Sequence, residues 1–430
     1  MSLALPPKRA KFPQDFPRPE PYTFPRVPFL RILCAPAKAV SRALISMDSH
    51  LNQEKVVVAM SGGVDSSVAA WMLSEAGHEL VGLFMRNGVK VAEEDVPKKS
   101  CCSVGDARDA RMVAARLEIP FQAVDLGPEF GNLIDFFVDE YSRGRTPNPC
   151  ALCNRDLKFG RLLEFADELG CEAVATGHYA RLDIEDGRPI LRRGVDHTKD
   201  QSYQLFSVSE AHLLRTRLPL GGLQKTEVRA MASNVGLKTA QKPDSQEICF
   251  VPSNDYRVLL AERNVELHPG NFVNRAGKRL GKHKGTEHFT IGQRRGHGIG
   301  GGTPLYVVDL RTAVGEVVLG TREECFSESL LADDVNWIGF DPASESDTPV
   351  GENIRFEAEI QVRYHHAAAA ATIELLADEP GVFRVHFHEP QSAVAPGQGA
   401  AIYRGDRLLG GGWIRSAVPV TEVSASRAES

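Results

Sequence analysis

The sequence predicts an α/β protein: a doubly wound parallel sheet, then a small β-rich middle domain, then a C-terminal antiparallel β-barrel. Three observations carry this. The run from Val56 to Met60 is apolar and β-branched, as a parallel strand covered on both faces requires. Strand and helix patterns then alternate as far as about Lys242, which implies right-handed crossovers in one sheet. Beyond Asn254 the helical pattern fades into short segments of alternating apolar and polar residues, the spacing of a small barrel.

The 430 residues leave room for two or three domains. A hydrophobic content of 42% with 25% charged residues is that of a soluble globular chain. The net charge of −6 advertises no global affinity for nucleic acid, though binding depends on local patches. No apolar run reaches the ~18 residues of a membrane span. Eight cysteines are too sparse here for a disulfide scaffold, which points to a reducing, cytoplasmic compartment.

Residues 1–50 are rich in proline and basic, with no periodic apolar face, so disorder is expected. An organelle transit peptide and a true start at Met47 are the other readings of this stretch. The catalytic unit is expected over 51–254. Within it the pattern gives helix Ser66 to Ala76, strand Leu80 to Met85, helix Asp106 to Leu117, strand Phe121 to Leu126, helix Glu129 to Arg143, helix Asp156 to Leu169 and strand Glu172 to Thr176. The middle domain, 255–330, reads as hairpins over Asn271 to Lys282 and Leu305 to Gly320. The glycine run Gly298 to Gly302 lacks the strand and helix of a dinucleotide fingerprint and reads as a turn. The barrel, 331–420, is expected to contain Ile354 to Tyr364, Val382 to His388, Ala400 to Tyr403 and Leu408 to Ile414. The tail 421–430 is small, polar and expected to fray.

Chemistry concentrates at Ser61-Gly62-Gly63-Val64-Asp65-Ser66-Ser67. Two glycines let backbone N–H groups approach an anion, and the hydroxyls and helix N-terminus that follow favour negative charge. The Gly-Lys-Ser/Thr ending of a Walker loop is absent. In a parallel sheet ligands bind beyond the carboxyl ends of the strands, where this loop, Met85 and Thr176-Gly177-His178-Tyr179 all fall. The loop resembles the pyrophosphate loop of N-type ATP pyrophosphatases, which split ATP between its α and β phosphates. A second signal is Cys150-Ala151-Leu152-Cys153. Taken alone such a pair is half a zinc site, a redox pair or two buried thiols. Cys153 stands just before the helix expected from Asp156, where a helix dipole lowers a thiol pKa.

In one order the chain carries Ser-Gly-Gly-Val-Asp-Ser-Ser, Asn148-Pro149-Cys150-x-x-Cys153-Asn154, Thr176-Gly177-His178-Tyr179-Ala180-Arg181, Lys199-Asp200-Gln201-Ser202-Tyr203 and Asp244-Ser245-Gln246-x-Ile248-Cys249-Phe250. Phe289 to Gly296 and Pro396-Gly397-Gln398 extend the pattern. Together these resemble the tRNA-specific 2-thiouridylase family over about Lys55 to Ser416, with an adenine-nucleotide alpha-hydrolase-like catalytic domain. The resemblance implies ATP-dependent sulfuration of the wobble uridine at position 34. Ala59, Met60, Ser61, Gly62, Gly63, Val64, Asp65, Ser66, Met85 and Gly177 would bind ATP, with Mg²⁺ held by Asp65 and the nucleotide. Cys153 would be the nucleophile beside the base, and Cys249 would carry a persulfide delivered by a sulfur-relay protein. Asn148, Pro149, Cys150, His178, Lys199, Asp200, Gln201, Arg363, Tyr364 and Gln398 would touch tRNA. Members often have Asp where this chain has Cys150. That departure admits a second idea, in which Cys150, Cys153 and Cys249 hold an iron–sulfur cluster or zinc.

Bland readings stand beside these. Cys34, Cys171 and Cys325 are most simply small buried residues, and Cys101 and Cys102 loop thiols. His365 and His366, read as strand neighbours, point to opposite faces and make no metal site. Lys278, Arg279, Lys282, His283 and Lys284 are a solvated face or a phosphate-contact patch. The rival enzyme is another N-type ATP pyrophosphatase, an amide or nitrogen ligase. It leaves Cys153 and Cys249 without a role. The non-enzymatic rival, an RNA-binding protein, leaves the intact loop without one.

Overall fold

Strands β1 (Lys55–Ala59), β2 (Glu79–Arg86), β3 (Phe121–Asp125) and β4 (Ala173–Ala175) alternate with α1 (Val64–Glu75), α2 (Val104–Arg116) and α3 (Gly127–Ser142). Before β4 the chain runs through α4 (Pro149–Leu152), a π-type stretch (Cys153–Arg161) and α5 (Leu162–Glu168). The coordinates are a computed structural model, which describes residues 53–88, 104–243, 248–251, 255–300, 302–345, 349 and 351–420. The expected N-terminal extension and C-terminal tail, Cys34, Cys101, Cys102 and Asp244–Glu247 lie outside those residues.

After β4 come a hairpin of β5 (Ala180–Glu185) and β6 (Arg188–Arg193), then α6 (Glu210–Leu214), β7 (Thr216–Arg217) and α7 (Lys225–Asn234). The parallel sheet has the order β3-β2-β1-β4-β7, as expected of a doubly wound fold. Its first strand, β1, is apolar on both faces because each face meets a different core. Val56 and Val58 enter one core with α1, while Val57 enters the other with α3, α4 and α5.

The middle unit holds α8 (Tyr256–Glu262), β8 (Gly270–Val273), β9 (Arg279–His283), β10 (Tyr306–Arg311) and β11 (Glu316–Gly320). They form one sheet in the order β10-β11-β8-β9, both expected hairpins joined by a parallel β8–β11 pair. The helical pattern does not end at Asn254: α8 follows, capped by the Asp255 carboxylate accepting from Arg257 N. His283 is buried against Phe272 and Phe289, so it does not belong to a solvated face, whereas Lys278, Arg279, Lys282 and Lys284 are exposed.

The last unit is a closed six-stranded antiparallel barrel. Its strands are β12 (Phe326–Trp337), β13 (Ile354–Gln361), β14 (Ala369–Leu375), β15 (Phe383–Ser392), β16 (Gly399–Arg404) and β17 (Arg407–Pro419). The β12–β17 pairing closes the ring β12-β15-β14-β13-β16-β17. Two of these strands escape the sequence reading: β12, and β14, whose alanines carry little pattern. His365 and His366 sit in the turn before β14, not on a strand.

The β5–β6 hairpin, also unforeseen, belongs to the catalytic stretch but adds to the barrel sheet through β6–β17. Its turn is Asp186-Gly187, both at positive φ, the two-residue type that matches strand twist. The second core continues across the same junction, joining Tyr203, Phe206 and Leu213 to Ile338, Tyr403 and Trp413. Among the described residues no helix is long and apolar enough to cross a membrane.

Candidate active site

The cradle forms where β1 ends. Gly62 adopts φ +73°, and a Cβ there would fall 2.2 Å from the Asp106 carbonyl oxygen, so only glycine fits. Gly63 caps α1 in an extended conformation and its carbonyl accepts from Ser67 Oγ at 2.7 Å. Ser61 N donates to Ser66 Oγ at 3.1 Å, which folds the loop back over the helix start. Gly177 closes the far wall: a Cβ there would lie 2.9 Å from Asp65 C and Ser66 N. Ala59, Met60 and Met85 lie at the ends of β1 and β2 beside the cradle.

Asp65 is not a bare carboxylate at the rim. Lys225 Nζ donates to both of its oxygens, at 2.7 and 2.8 Å, and Tyr179 Oη donates to Oδ1 at 2.7 Å. Tyr179 is fixed in turn by Gln201, whose Oε1 accepts from Tyr179 N at 3.0 Å while Gln201 N donates to Tyr179 O. Asp196 accepts from Lys225 N at 2.9 Å at the start of α7. Lys242 Nζ holds the Gly62 carbonyl at 2.9 Å together with Asp106 and Asp109. The sequence reading gave Tyr179, Lys225 and Lys242 no role. Tyr179 lies inside a quoted motif, but nothing local marks the two lysines, whose partners are distant in sequence.

The thiol loop differs from expectation in one respect. Helix begins at Pro149, not Asp156, because Asn148 caps Ala151 N at 3.2 Å and Pro149 takes the first helical position. Cys150 therefore occupies the first turn and is exposed, whereas Cys153 lies a turn further in and is buried. The helix N-terminal field acts first on Cys150, since it fades within that turn. Cys153 belongs to the core cluster against which Ala59, Met85, Cys249 and Tyr364 pack. Among the described residues no group of three or more His, Cys, Asp or Glu is placed to hold a metal ion, so Cys150, Cys153 and Cys249 are not gathered as a ligand set.

The barrel grips this loop. Gln398 Nε2 donates to the carbonyls of Thr146 and Pro147, each at 3.0 Å, and Thr146 N donates to Pro396 O at 2.7 Å. A Cβ on Gly397 would fall 2.8 Å from Thr146 O.

The other residues expected to meet tRNA divide into internal and peripheral positions. His178 is buried, with Nδ1 2.7 Å from Thr176 Oγ1. Burial, and then the Lys158 charge, push its pKa well below the usual value, so it is neutral at pH 7. The Asp200 carboxylate accepts from Gly194 N, Arg193 Nη1, Ser202 N and Ser202 Oγ at 2.9–3.1 Å. Arg193 stacks 3.7 Å over the Tyr403 ring and donates to Gln361, whose amide holds the carbonyls of Arg363 and Tyr364. Burial lowers the Arg363 pKa, with Tyr203 and Tyr141 close by. The Tyr364 phenol is pushed up to about 12 by burial, then by Asp200 and Cys150. Lys199 is partly exposed beside them.

A parallel sheet with a glycine cradle at its carboxyl edge, backed by a helix start and a basic second layer, defines a nucleotide-binding α/β enzyme domain. Residues 54–253 match the family model described as the tRNA methyl transferase HUP domain. Residues 259–321 match its PRC-barrel domain, and 327–414 the aminomethyltransferase β-barrel domain. The chain is 48% identical over 378 residues to the tRNA-specific 2-thiouridylase MnmA of Geotalea uraniireducens, covering 86% of this chain and 98% of that one. It is 47% identical over 371 residues to the MnmA of Carboxydothermus hydrogenoformans, covering 85% and 98%. Among solved structures it is similar to the U34-tRNA thiolase NcsA from Methanococcus maripaludis, at 20% identity and a TM-score of 0.33, over 53% of this chain and 73% of that one. The chain belongs to the tRNA-specific 2-thiouridylase family.

Proposed function

We propose that the chain is an ATP-dependent tRNA-uridine 2-sulfurtransferase acting on the wobble uridine at position 34. The observation that carries the reading is the shared core: Ala59 and Met85 from the nucleotide edge pack on the same cluster as Cys249, and Cys153 is part of it. On this reading activation and sulfur delivery would draw on that one core.

A uracil carbonyl oxygen is a poor leaving group. Attack of that oxygen on the α-phosphorus of ATP releases pyrophosphate and leaves AMP on the oxygen of carbon 2. The Gly63 and Val64 N–H groups and the α1 N-terminus would stabilise the departing charge. Mg²⁺, if held by Asp65 and the nucleotide, would neutralise part of it. The outer sulfur of a Cys249 persulfide then attacks carbon 2 and expels AMP. Cys153 thiolate takes the inner Cys249 sulfur, so the sulfur–sulfur bond breaks with formation of a Cys153–Cys249 disulfide, and 2-thiouridine leaves. A thiol reductant resets the pair, and a sulfur-relay donor protein reloads Cys249. The base must leave its stack to enter.

On this reading residues 51–254 would act as the catalytic unit, 255–330 as a small central domain and 331–420 as a barrel that contacts tRNA, with Gln398 holding the loop before Cys150. The cytoplasm, reducing and rich in tRNA, is the compartment this chemistry suits. The test is reconstitution with unmodified tRNA, ATP and a persulfide donor. The expected result is 2-thiouridine, AMP and pyrophosphate in equal amounts. No 2-thiouridine in that mixture, with an amide or amine product once ammonium is supplied as a nitrogen source, would place the chain among the nitrogen ligases.

A further inference from the structure

Lys242 lies outside every motif quoted above, yet its ammonium meets the cradle. Nζ donates to Gly62 O at 2.9 Å, to Asp106 Oδ1 at 2.6 Å and to Asp109 Oδ2 at 2.7 Å. A lysine has three N–H donors, and these three acceptors use them all. It has none left to give a phosphate directly, so any influence on the nucleotide passes through what it holds.

What it holds is one end of the Gly62–Gly63 peptide. A trans peptide is planar, with its C=O and N–H pointing in opposite directions. Fixing Gly62 O therefore aims Gly63 N–H to the other side of the loop. That donor reaches Ser61 Oγ only at 3.4 Å, beyond the usual N–H···O range, and so is weakly engaged. An ammonium on the carbonyl also polarises the peptide and strengthens the N–H as a donor. The contact is rigid on both sides. Gly62 abuts the Asp106 backbone so closely that a Cβ could not intervene, and Arg229 Nη1 clasps Ala240 O and Lys242 O at 2.8 and 3.0 Å. Burial opposes the lysine's charge, but Asp106 and Asp109 outweigh it and hold the pKa above its usual value.

We propose that Lys242 is a positioning residue for ATP, which it orients by locking the Gly62–Gly63 peptide so that Gly63 N–H faces the phosphates. The proposal rests on the ATP-dependent reading above. It differs from a structural tie in degree: Asp109 contacts the same ammonium but carries charge that repels the nucleotide. Removing the lysine weakens ATP binding, whereas neutralising Asp109, which leaves the ammonium on Gly62 O and Asp106, weakens it far less.

The test uses the full chain with ATP and tRNA, following pyrophosphate release against ATP concentration. Lys242→Met is expected to raise KM for ATP about tenfold, the effect of one charge-assisted hydrogen bond. Affinity for tRNA, measured by filter binding, stays within about twofold of the parent. Asp109→Asn, which keeps an oxygen acceptor for the ammonium, is expected to raise KM for ATP by no more than about twofold, well short of Lys242→Met. Lys242→Gln, which keeps an N–H for Gly62 O, replaces Lys242→Met should that variant not fold, with an expected rise of about threefold. A KM for ATP unaltered at position 242 overturns the proposal. So does an equal rise in KM from Asp109→Asn with an equal loss of thermal midpoint, since that marks a purely structural tie. A parent chain that releases no pyrophosphate from ATP and tRNA overturns the ATP-dependent reading itself, a result distinct from any behaviour of position 242.

Discussion

Lys225 clasps both carboxylate oxygens of Asp65, at 2.7 and 2.8 Å, from the first turn of α7. The lysine is nearly buried, and that carboxylate is a counter-ion to its charge. Asp65 is thereby both part of the cradle and part of the packing between α1 and α7. Asp65→Asn is expected to reduce pyrophosphate release at least ~100-fold, because an amide neither holds a metal well nor balances the ammonium. It is also expected to lower stability by about 1–3 kcal/mol, the cost of a weakened hydrogen bond to a charged group. Steady-state pyrophosphate assays and thermal unfolding separate the two effects. An unfolding midpoint unchanged from the parent would mean that the Lys225 contact contributes nothing.

Gln398 connects the barrel to the thiol loop, and its described side-chain hydrogen bonds both go to that loop. Gln398→Ala removes two hydrogen bonds to backbone carbonyls that a buried loop has few other ways to satisfy. The expected outcome is a fall in thiolation of about tenfold, with KM for ATP within about twofold of the parent. Single-turnover thiolation with a preloaded persulfide tests this. An effect confined to ATP would place Gln398 in the wrong step.

How much of this was legible depends on the range of the interaction. The parallel sheet could be read because a strand buried on both faces leaves a local mark, the unbroken run Val56–Val58. The Asp186-Gly187 turn also marks its hairpin locally, but that β6 pairs with β17 far along the chain does not show in either segment. Gly62 was readable because its φ of +73° demands glycine, whereas Gly63 lies in ordinary extended backbone. Lys225, Lys242 and Tyr179 were not, since a lysine in an exposed helix start and one that joins two elements look alike in sequence. The start of the helix at Pro149 was signalled by Asn-Pro, a cap and a first-turn residue. Two prolines in the loop obscured that signal and moved Cys153 out of the helix in the reading.

Glu374 gives the barrel a titratable anchor. Its side chain is 2% exposed and accepts from Arg355, Asn353, Arg384 and His386. Burial pushes its pKa up, but the hydrogen bonds from Arg355, Asn353 and His386 outweigh this and hold it at about 2, below the ordinary 4.5. A depressed carboxylate stabilises the fold above its unfolded pKa, and the contribution is lost as pH falls from about 4.5 through about 2. The arginine and histidine partners are about half exposed, so the shift is discounted to about 1–2 kcal/mol. Glu374→Gln should be less stable than the parent by that amount at pH 6, with the gap closing toward pH 2. Denaturant unfolding of both chains across that range is the measurement. A gap that is constant with pH would assign the loss to packing.

The cysteines separate activation from sulfur transfer. Cys153 is buried in the core cluster that Cys249 packs against, while Cys150 stands exposed in the first turn of α4. Adenylation needs the cradle and the base, not a thiol. Cys153→Ala and Cys249→Ala should therefore each abolish 2-thiouridine formation, by ~10³-fold or more, while pyrophosphate release in a single turnover persists. Cys150→Ala should reduce thiolation no more than about threefold, because the carbon 2 chemistry requires one sulfur carrier and one resolving thiol. The persulfide can be read directly: intact-mass analysis after incubation with a donor should add one sulfur to the parent and to Cys153→Ala, and none to Cys249→Ala. Loss of activity in Cys150→Ala equal to that of the other two, together with recovery of the parent only after treatment with iron and sulfide, would remove the persulfide route. Retention of thiolation in Cys249→Ala would move the sulfur carrier to a different thiol.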